Sequence, residues 1–200
     1  MKNLVVVVGC VLVLSQCSSN AQKQSDTFIP ELNKGEYSEL VKQVDQIVTS
    51  KKNMKVFGKD YNGIYSEIKD TINWPDSLDL VYNLFYDQGQ LRLMKEVPIS
   101  ESGDNNCVYN YYYDKDGRVR VVIDAISTFG NDDSIIHLKK TYCYNQHFIK
   151  EYSDSAITDL NGKALSFKDN LSYFEGLESK NHYKTINDLP HLFIDSLKRE

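Results

Sequence analysis

Asn106–Ser127 reads NCVYNYYYDKDGRVRVVIDAIS, and it is the clearest hairpin in the chain. In an extended segment, Cys107, Tyr109, Tyr111 and Tyr113 share one face, and Val108, Asn110, Tyr112 and Asp114 share the other. Flat aromatic side chains suit a pleated, half-buried surface, so a run with tyrosine at 109, 111, 112 and 113 favours strand over helix. Asp114-Lys115-Asp116-Gly117 then supplies turn chemistry: Asp bonds backbone two residues on, and Gly accepts positive φ. On the return strand Val119, Val121, Ile123 and Ala125 alternate with Arg118, Arg120 and Asp124, which predicts one dry and one wet sheet face.

Similar stretches surround this hairpin. Leu80, Tyr82, Leu84 and Tyr86 alternate; Gln88-Gly89 turns; Leu91, Leu93 and Val97 lead away. Tyr86-Asp87-Gln88-Gly89 echoes Tyr113-Asp114-Lys115-Asp116-Gly117, hairpin chemistry used twice. After Phe129–Asp133, Ile136, Leu138, Tyr142 and Tyr144 alternate; Asn145-Gln146 turns; Phe148 and Tyr152 close the set. About six strands with short connections predict an antiparallel meander.

Helical periodicity brackets the strands. Tyr37, Leu40, Val41, Val44, Ile47 and Val48 make an apolar stripe over Glu36–Lys52. Tyr61, Ile64, Tyr65 and Ile68 have the same spacing over Asp60–Asp70, with Asp60 as N-cap. Near the end, Asn187 or Asp188 caps a helix, Pro190 sits in its first turn, and Leu189, Leu192, Phe193 and Leu197 line one side. The expected fold is α+β: residues 31–200 as one domain, a single antiparallel meander with the N-terminal and C-terminal amphipathic helices over one face.

Met1–Gln16 is a targeting segment: Lys2, then an apolar run from Leu4 to Leu14. That run falls short of the roughly 20 residues a spanning helix needs and matches a signal-peptide core. Leu14-Ser15-Gln16-Cys17 resembles the lipobox of bacterial lipoproteins. The resemblance implies cleavage before Cys17, acylation of Cys17, and anchoring to a membrane of the bacterial cell envelope. Cys10, after Val7-Val8-Gly9, is a second place for such a box, and an ordinary secretory signal is the third reading. Residues 17–30 read as the lipidated Cys and a polar tether. With Trp74-Pro75-Asp76, the Tyr86-Asp87 turn and Ser100–Asp104, the chain looks like Gram-negative envelope lipoproteins to which no activity is assigned.

Charge narrows the partners. The chain carries net charge −5, and removing Met1–Gln16 takes away only Lys2 among its charged residues. Scattered lysines on an acidic chain do not make a nucleic-acid footprint. Cys107 and Cys143 fall on strands and faces that keep them apart, so both are expected unpaired. No histidine pair has ligand spacing, Asp114–Gly117 lacks the Glu of a calcium loop at Ala125, and no catalytic motif stands out; no cofactor, metal or catalytic residue is assigned. Among the 14 tyrosines, Tyr112 is the best outward-facing one, and Trp74, the only Trp, is the other candidate binding residue. The expected function is a non-enzymatic binding or interaction module for a protein or glycan, using a sheet face or the loops Ile99–Asn105 and Phe129–Asp133. An envelope hydrolase working through dispersed carboxylates is the alternative.

Overall fold

A computed structural model describes residues 8–9, 31–49, 54–69, 74–75, 77–100, 105–131, 134–175 and 181–193. Cys17 and Leu197 lie outside them. Helix α1 (Glu31–Thr49) precedes β2 (Met54–Asp60), β3 (Tyr65–Glu67), β4 (Leu78–Asp87), β5 (Gln90–Pro98), β6 (Asn106–Tyr113), β7 (Val119–Phe129), β8 (Ile135–Tyr144) and β9 (Lys150–Asp159). All pair antiparallel in one sheet of order β9-β8-β7-β6-β5-β4-β2-β3. A two-residue β1 (Val8–Gly9) pairs with Ser155 and Asp154 on the outer edge of β9.

The expected strands are present, although Phe148 lies in the turn before β9 and not in the strand, and β2 and β3 add two more. They replace the helix expected over Asp60–Asp70. Asp60 Oδ1 accepts the backbone N–H groups of Asn62 and Ile64 at 2.9 and 2.8 Å, and Gly63 sits at φ 81°. A carboxylate that satisfies its own turn offers the backbone an alternative to helix, and here it wins. The meander therefore holds from β4 to β9, while β2 inserts between β3 and β4.

The expectation of one wet face and both helices on the other is corrected. Both faces are covered. On one, α1 lays Tyr37 and Val44, with Leu40, Val41 and Val48, over Phe85, Leu93, Tyr112, Val121, Ile123 and Cys143. On the opposite face, Leu189 and Phe193 join Phe57, Tyr82, Leu84, Met94, Tyr111 and Val122. Further along that face, Phe174 covers Ile126, Leu138 and Ile157. The sequence near Leu189 is also less helical than its spacing suggests. Ile186–Asp188 is a single 3-10 turn closed by a Thr185/Asp188 capping box, Leu189 is extended, and helix resumes at His191–Phe193. Leu189 and Phe193 are buried but Leu192 points outward, because the break changes the phase.

Cys107 and Cys143 are both free thiols, on opposite faces of the sheet. Burial pushes the Cys143 thiol up to about 12.

The three hairpins β4–β5, β6–β7 and β8–β9 share one feature. Tyr86 pairs with Leu91, Tyr113 with Val119 and Tyr144 with Lys150, each just past a β-bulge. The bulges leave Arg92, Arg120 and Glu151 unopposed. Alternation breaks there, so Val119 and Val121 fall on opposite faces, contrary to the simple strand reading. Arg92 Nε donates to the Tyr113 carbonyl and Arg120 Nε to the Tyr144 carbonyl, at 3.3 and 2.9 Å, each stitching its bulge to the next strand. Glu151 plays a different part: it accepts the hydroxyl of Tyr37 and ties α1 to the sheet.

A candidate ligand cleft at the third hairpin

Four turns of the sheet repeat one design. Asp60, Asp114, Asn145 and Asp159 each accept, through a side-chain oxygen, the backbone N–H groups two and four residues on. The residue three beyond each must adopt positive φ. It is Gly63, Gly117 and Gly162 in three of them, at 81°, 72° and 78°; in the fourth it is Phe148, at 58°. A side chain in this left-handed conformation costs about 1–2 kcal/mol, because Cβ crowds the following carbonyl. Strain of this kind gathers at functional sites.

The third hairpin departs from the others a second time. Leu91 and Val119, beside Tyr86 and Tyr113, are 4% and 1% exposed, and both belong to the core. The equivalent position beside Tyr144 is Lys150, which is exposed. An apolar residue that packs has been replaced by a cation that does not.

Both departures open into one cleft of about 390 Å³, lined by Tyr142, Tyr144, Phe148, Lys150, Asn181, His182 and Lys184. The Phe148 ring stacks on Tyr144 at 4.1 Å and 7° between planes, and Lys184 Nζ lies 5.9 Å from the Phe148 centroid. Burial raises the Tyr144 hydroxyl to about 12, so it stays protonated. Asn181, His182 and Lys184 belong to the C-terminal segment, which is held to the sheet by the Val119 N–H to Lys184 carbonyl bond and by Thr185 opposite Arg118.

The cleft floor is polar and closed. Tyr144 Oη lies 2.8 Å from His182 Nδ1, and His182 Nε2 lies 3.4 Å from Asp124 Oδ1. Asp124 is 1% exposed, and the 3.4 Å contact is not aligned as a hydrogen bond; neither of its oxygens accepts one among the described residues. His182 is thus the one basic side chain within 4 Å of this carboxylate among the described residues. On the same face, Glu96 and Asp124 flank Tyr109 across three strands, and Glu96 is fully buried, with Tyr111 Oη 3.5 Å from Oε2. The sheet brings these two carboxylates together but shuts both away from solvent.

The expected binding residues lie elsewhere. Tyr112 is 5% exposed beneath α1, where its hydroxyl donates to Asp45 Oδ1 at 3.1 Å; it faces away from Tyr111, as alternation requires, but that face is covered. Trp74 is 42% exposed and does not line the cleft. Ile99 and Phe129 are exposed, whereas the centres of their loops, 101–104 and 132–133, lie outside the described residues. The sequence signal that points to the cleft is the Tyr-Asx step at a strand end, seen at Tyr86-Asp87 and Tyr113-Asp114 and present again at Tyr144-Asn145.

Among the described residues no three His, Cys, Asp or Glu side chains gather as a metal site, and no helix is long and apolar enough to cross a membrane. Comparison with known proteins returns no matching family model, no similar curated protein and no similar solved structure. What the fold and cleft define is a class: a single antiparallel sheet, covered on both faces, with one modified hairpin.

Proposed function

We propose that this chain is a membrane-anchored envelope lipoprotein acting as a non-enzymatic binding module, with the Phe148 cleft as its ligand site. One observation carries the cleft: the third hairpin places Phe148 where three like turns have glycine and an exposed Lys150 where the first two hairpins have a core residue, and both side chains line the same opening. A strained backbone at Phe148 and a cation in place of a core residue at Lys150 both oppose stability, and such departures mark function. The cleft has the volume of a small-ligand site, which favours a glycan unit over a broad protein face. Glu96 and Asp124, the carboxylates that flank Tyr109, are shut away from solvent and do not serve the hydrolase alternative.

Restoring the repeat tests the site. Phe148→Gly relieves backbone strain of about 1–2 kcal/mol and gives up a ring stack of about 0.5–1.5 kcal/mol; Lys150→Leu adds roughly 1 kcal/mol of apolar burial. The double variant is expected to melt at or a few degrees above the parent temperature and to lose its ligands on an array of neutral and acidic oligosaccharides. Retained binding would remove the cleft from the reading.

Anchoring is tested separately. Cys17→Ala is expected to abolish labelling by a palmitate analogue and to release the chain from membranes, while Cys10→Ala leaves both intact. Labelling that follows Cys10 would move the cleavage site, and the absence of any labelling would replace the anchor with a secretory signal.

A further inference from the structure

We infer that the ligand of the cleft is an acidic carbohydrate, its ring resting against Phe148 and its anionic group taken by Lys150 and Lys184. The inference rests on reading the cleft as the ligand site and adds the class of ligand.

Charge comes first. In a chain with an excess of acids, the charged side chains of this lining are Lys150 and Lys184, beside His182 and with no Asp or Glu. Neither lysine forms an ion pair with a carboxylate among the described residues. The nearest buried carboxylate, Asp124, lies behind the imidazole of His182, which separates it from the opening and pairs with it. Lys150 stands where the other two hairpins place core residues, so the register of β8 and β9 sets its backbone at the cleft.

Shape and polarity then narrow the class. A pyranose presents a C–H face that packs on an aromatic ring and hydroxyls that need amide and phenol partners. The cleft supplies the Phe148–Tyr144 stack, the Asn181 amide and Tyr142. A carboxylate or sulfate at the sugar's rim falls within reach of flexible lysines, which act as point charges without demanding a planar fork. A polynucleotide would need a longer basic track than two lysines.

The test uses the full acylated chain in non-ionic detergent, titrated with sugar pairs that differ only in charge. These are trigalacturonate and its methyl ester, sialyllactose and lactose, and a sulfated and an unsulfated chondroitin disaccharide. A glutamate hexapeptide is the protein-like control. At least one acidic sugar is expected to bind at least tenfold tighter than its neutral partner, and to weaken severalfold between 20 and 200 mM salt. Lys150→Gln with Lys184→Gln is expected to erase the difference between partners, whereas Phe148→Gly weakens both. Equal binding of acidic and neutral partners, lost in Phe148→Gly, would overturn the charge inference and leave the cleft as ligand site. Preference for the hexapeptide, or binding of none of the sugars, would overturn the carbohydrate class. Sugar binding untouched by all three substitutions would overturn the site itself.

Discussion

Replacing His182 with Ala is expected to destabilise the fold by about 3–5 kcal/mol, the cost of leaving a buried carboxylate without its partner. Asp124 is 1% exposed, accepts no hydrogen bond among the described residues, and has His182 Nε2 at 3.4 Å. The imidazole also anchors the C-terminal segment: Tyr111, Tyr142 and Tyr144 surround its ring edge-on at 6.0, 4.9 and 6.2 Å between centroids. Removing it therefore exposes a charge problem and a packing gap together. Urea unfolding separates the two. Asp124→Leu with His182→Leu removes both polar groups while filling space, and such apolar replacements are often neutral or stabilising. The double variant is expected to be at least 2 kcal/mol more stable than His182→Ala, and in a double-mutant cycle the two sites couple strongly. A His182→Ala cost below about 1 kcal/mol would show that the imidazole does not compensate Asp124.

Alkaline pH is expected to unfold the sheet before about pH 12. Burial holds the hydroxyls of Tyr109, Tyr144 and Tyr183 at about 12, and it pushes Tyr82, Tyr111 and Tyr113 higher still. In the unfolded chain tyrosine ionises near 10. Above that value the unfolded chain binds fewer protons than the folded one, so stability falls as pH rises; below it the contribution is fully present. Each tyrosine ionised only in the unfolded chain contributes a slope of about 1.4 kcal/mol per pH unit, and six give about 8. A domain stable by about 5–15 kcal/mol does not survive two such units. Tyrosinate absorbance at 295 nm should therefore rise together with loss of the far-ultraviolet β signal. Ionisation of these tyrosines within an intact sheet at pH 12 would contradict the burial argument.

The cleft shows how a repeat conceals its own exception. In Tyr86-Asp87 and Tyr113-Asp114, the following glycine advertises the turn. At Tyr144-Asn145 the glycine is gone and the return strand opens with Ile149-Lys150 rather than an apolar-charged alternation, so that hairpin looks weaker than its neighbours. Its equivalence appears only when the bulge after Cys143 is aligned with those after Phe85 and Tyr112. Positive φ at Phe148 is a property of the closed turn, and no propensity for phenylalanine predicts it.

The strands from Leu80 to Tyr152 are legible in the sequence, because period-2 alternation and Asx-Gly turns are local signals that survive into the fold. The sequence by itself also determined α1, from an apolar stripe at helical spacing, and the separation of Cys107 from Cys143, from strand order and alternation together. Asp60–Glu67 went the other way, since helical spacing and a tight hairpin are both compatible with Tyr61, Ile64 and Tyr65, and the Asp60 side chain chose. Only the tertiary structure decided which face each helix covers, because an amphipathic stripe states that a surface must be buried and not against what. That choice buried Tyr112 under α1, sent Leu189 and Phe193 to the opposite face, and brought His182 from the far end of the chain onto Asp124. Contacts of that range depend on how the chain closes over the sheet, a geometry that no local run of residues encodes.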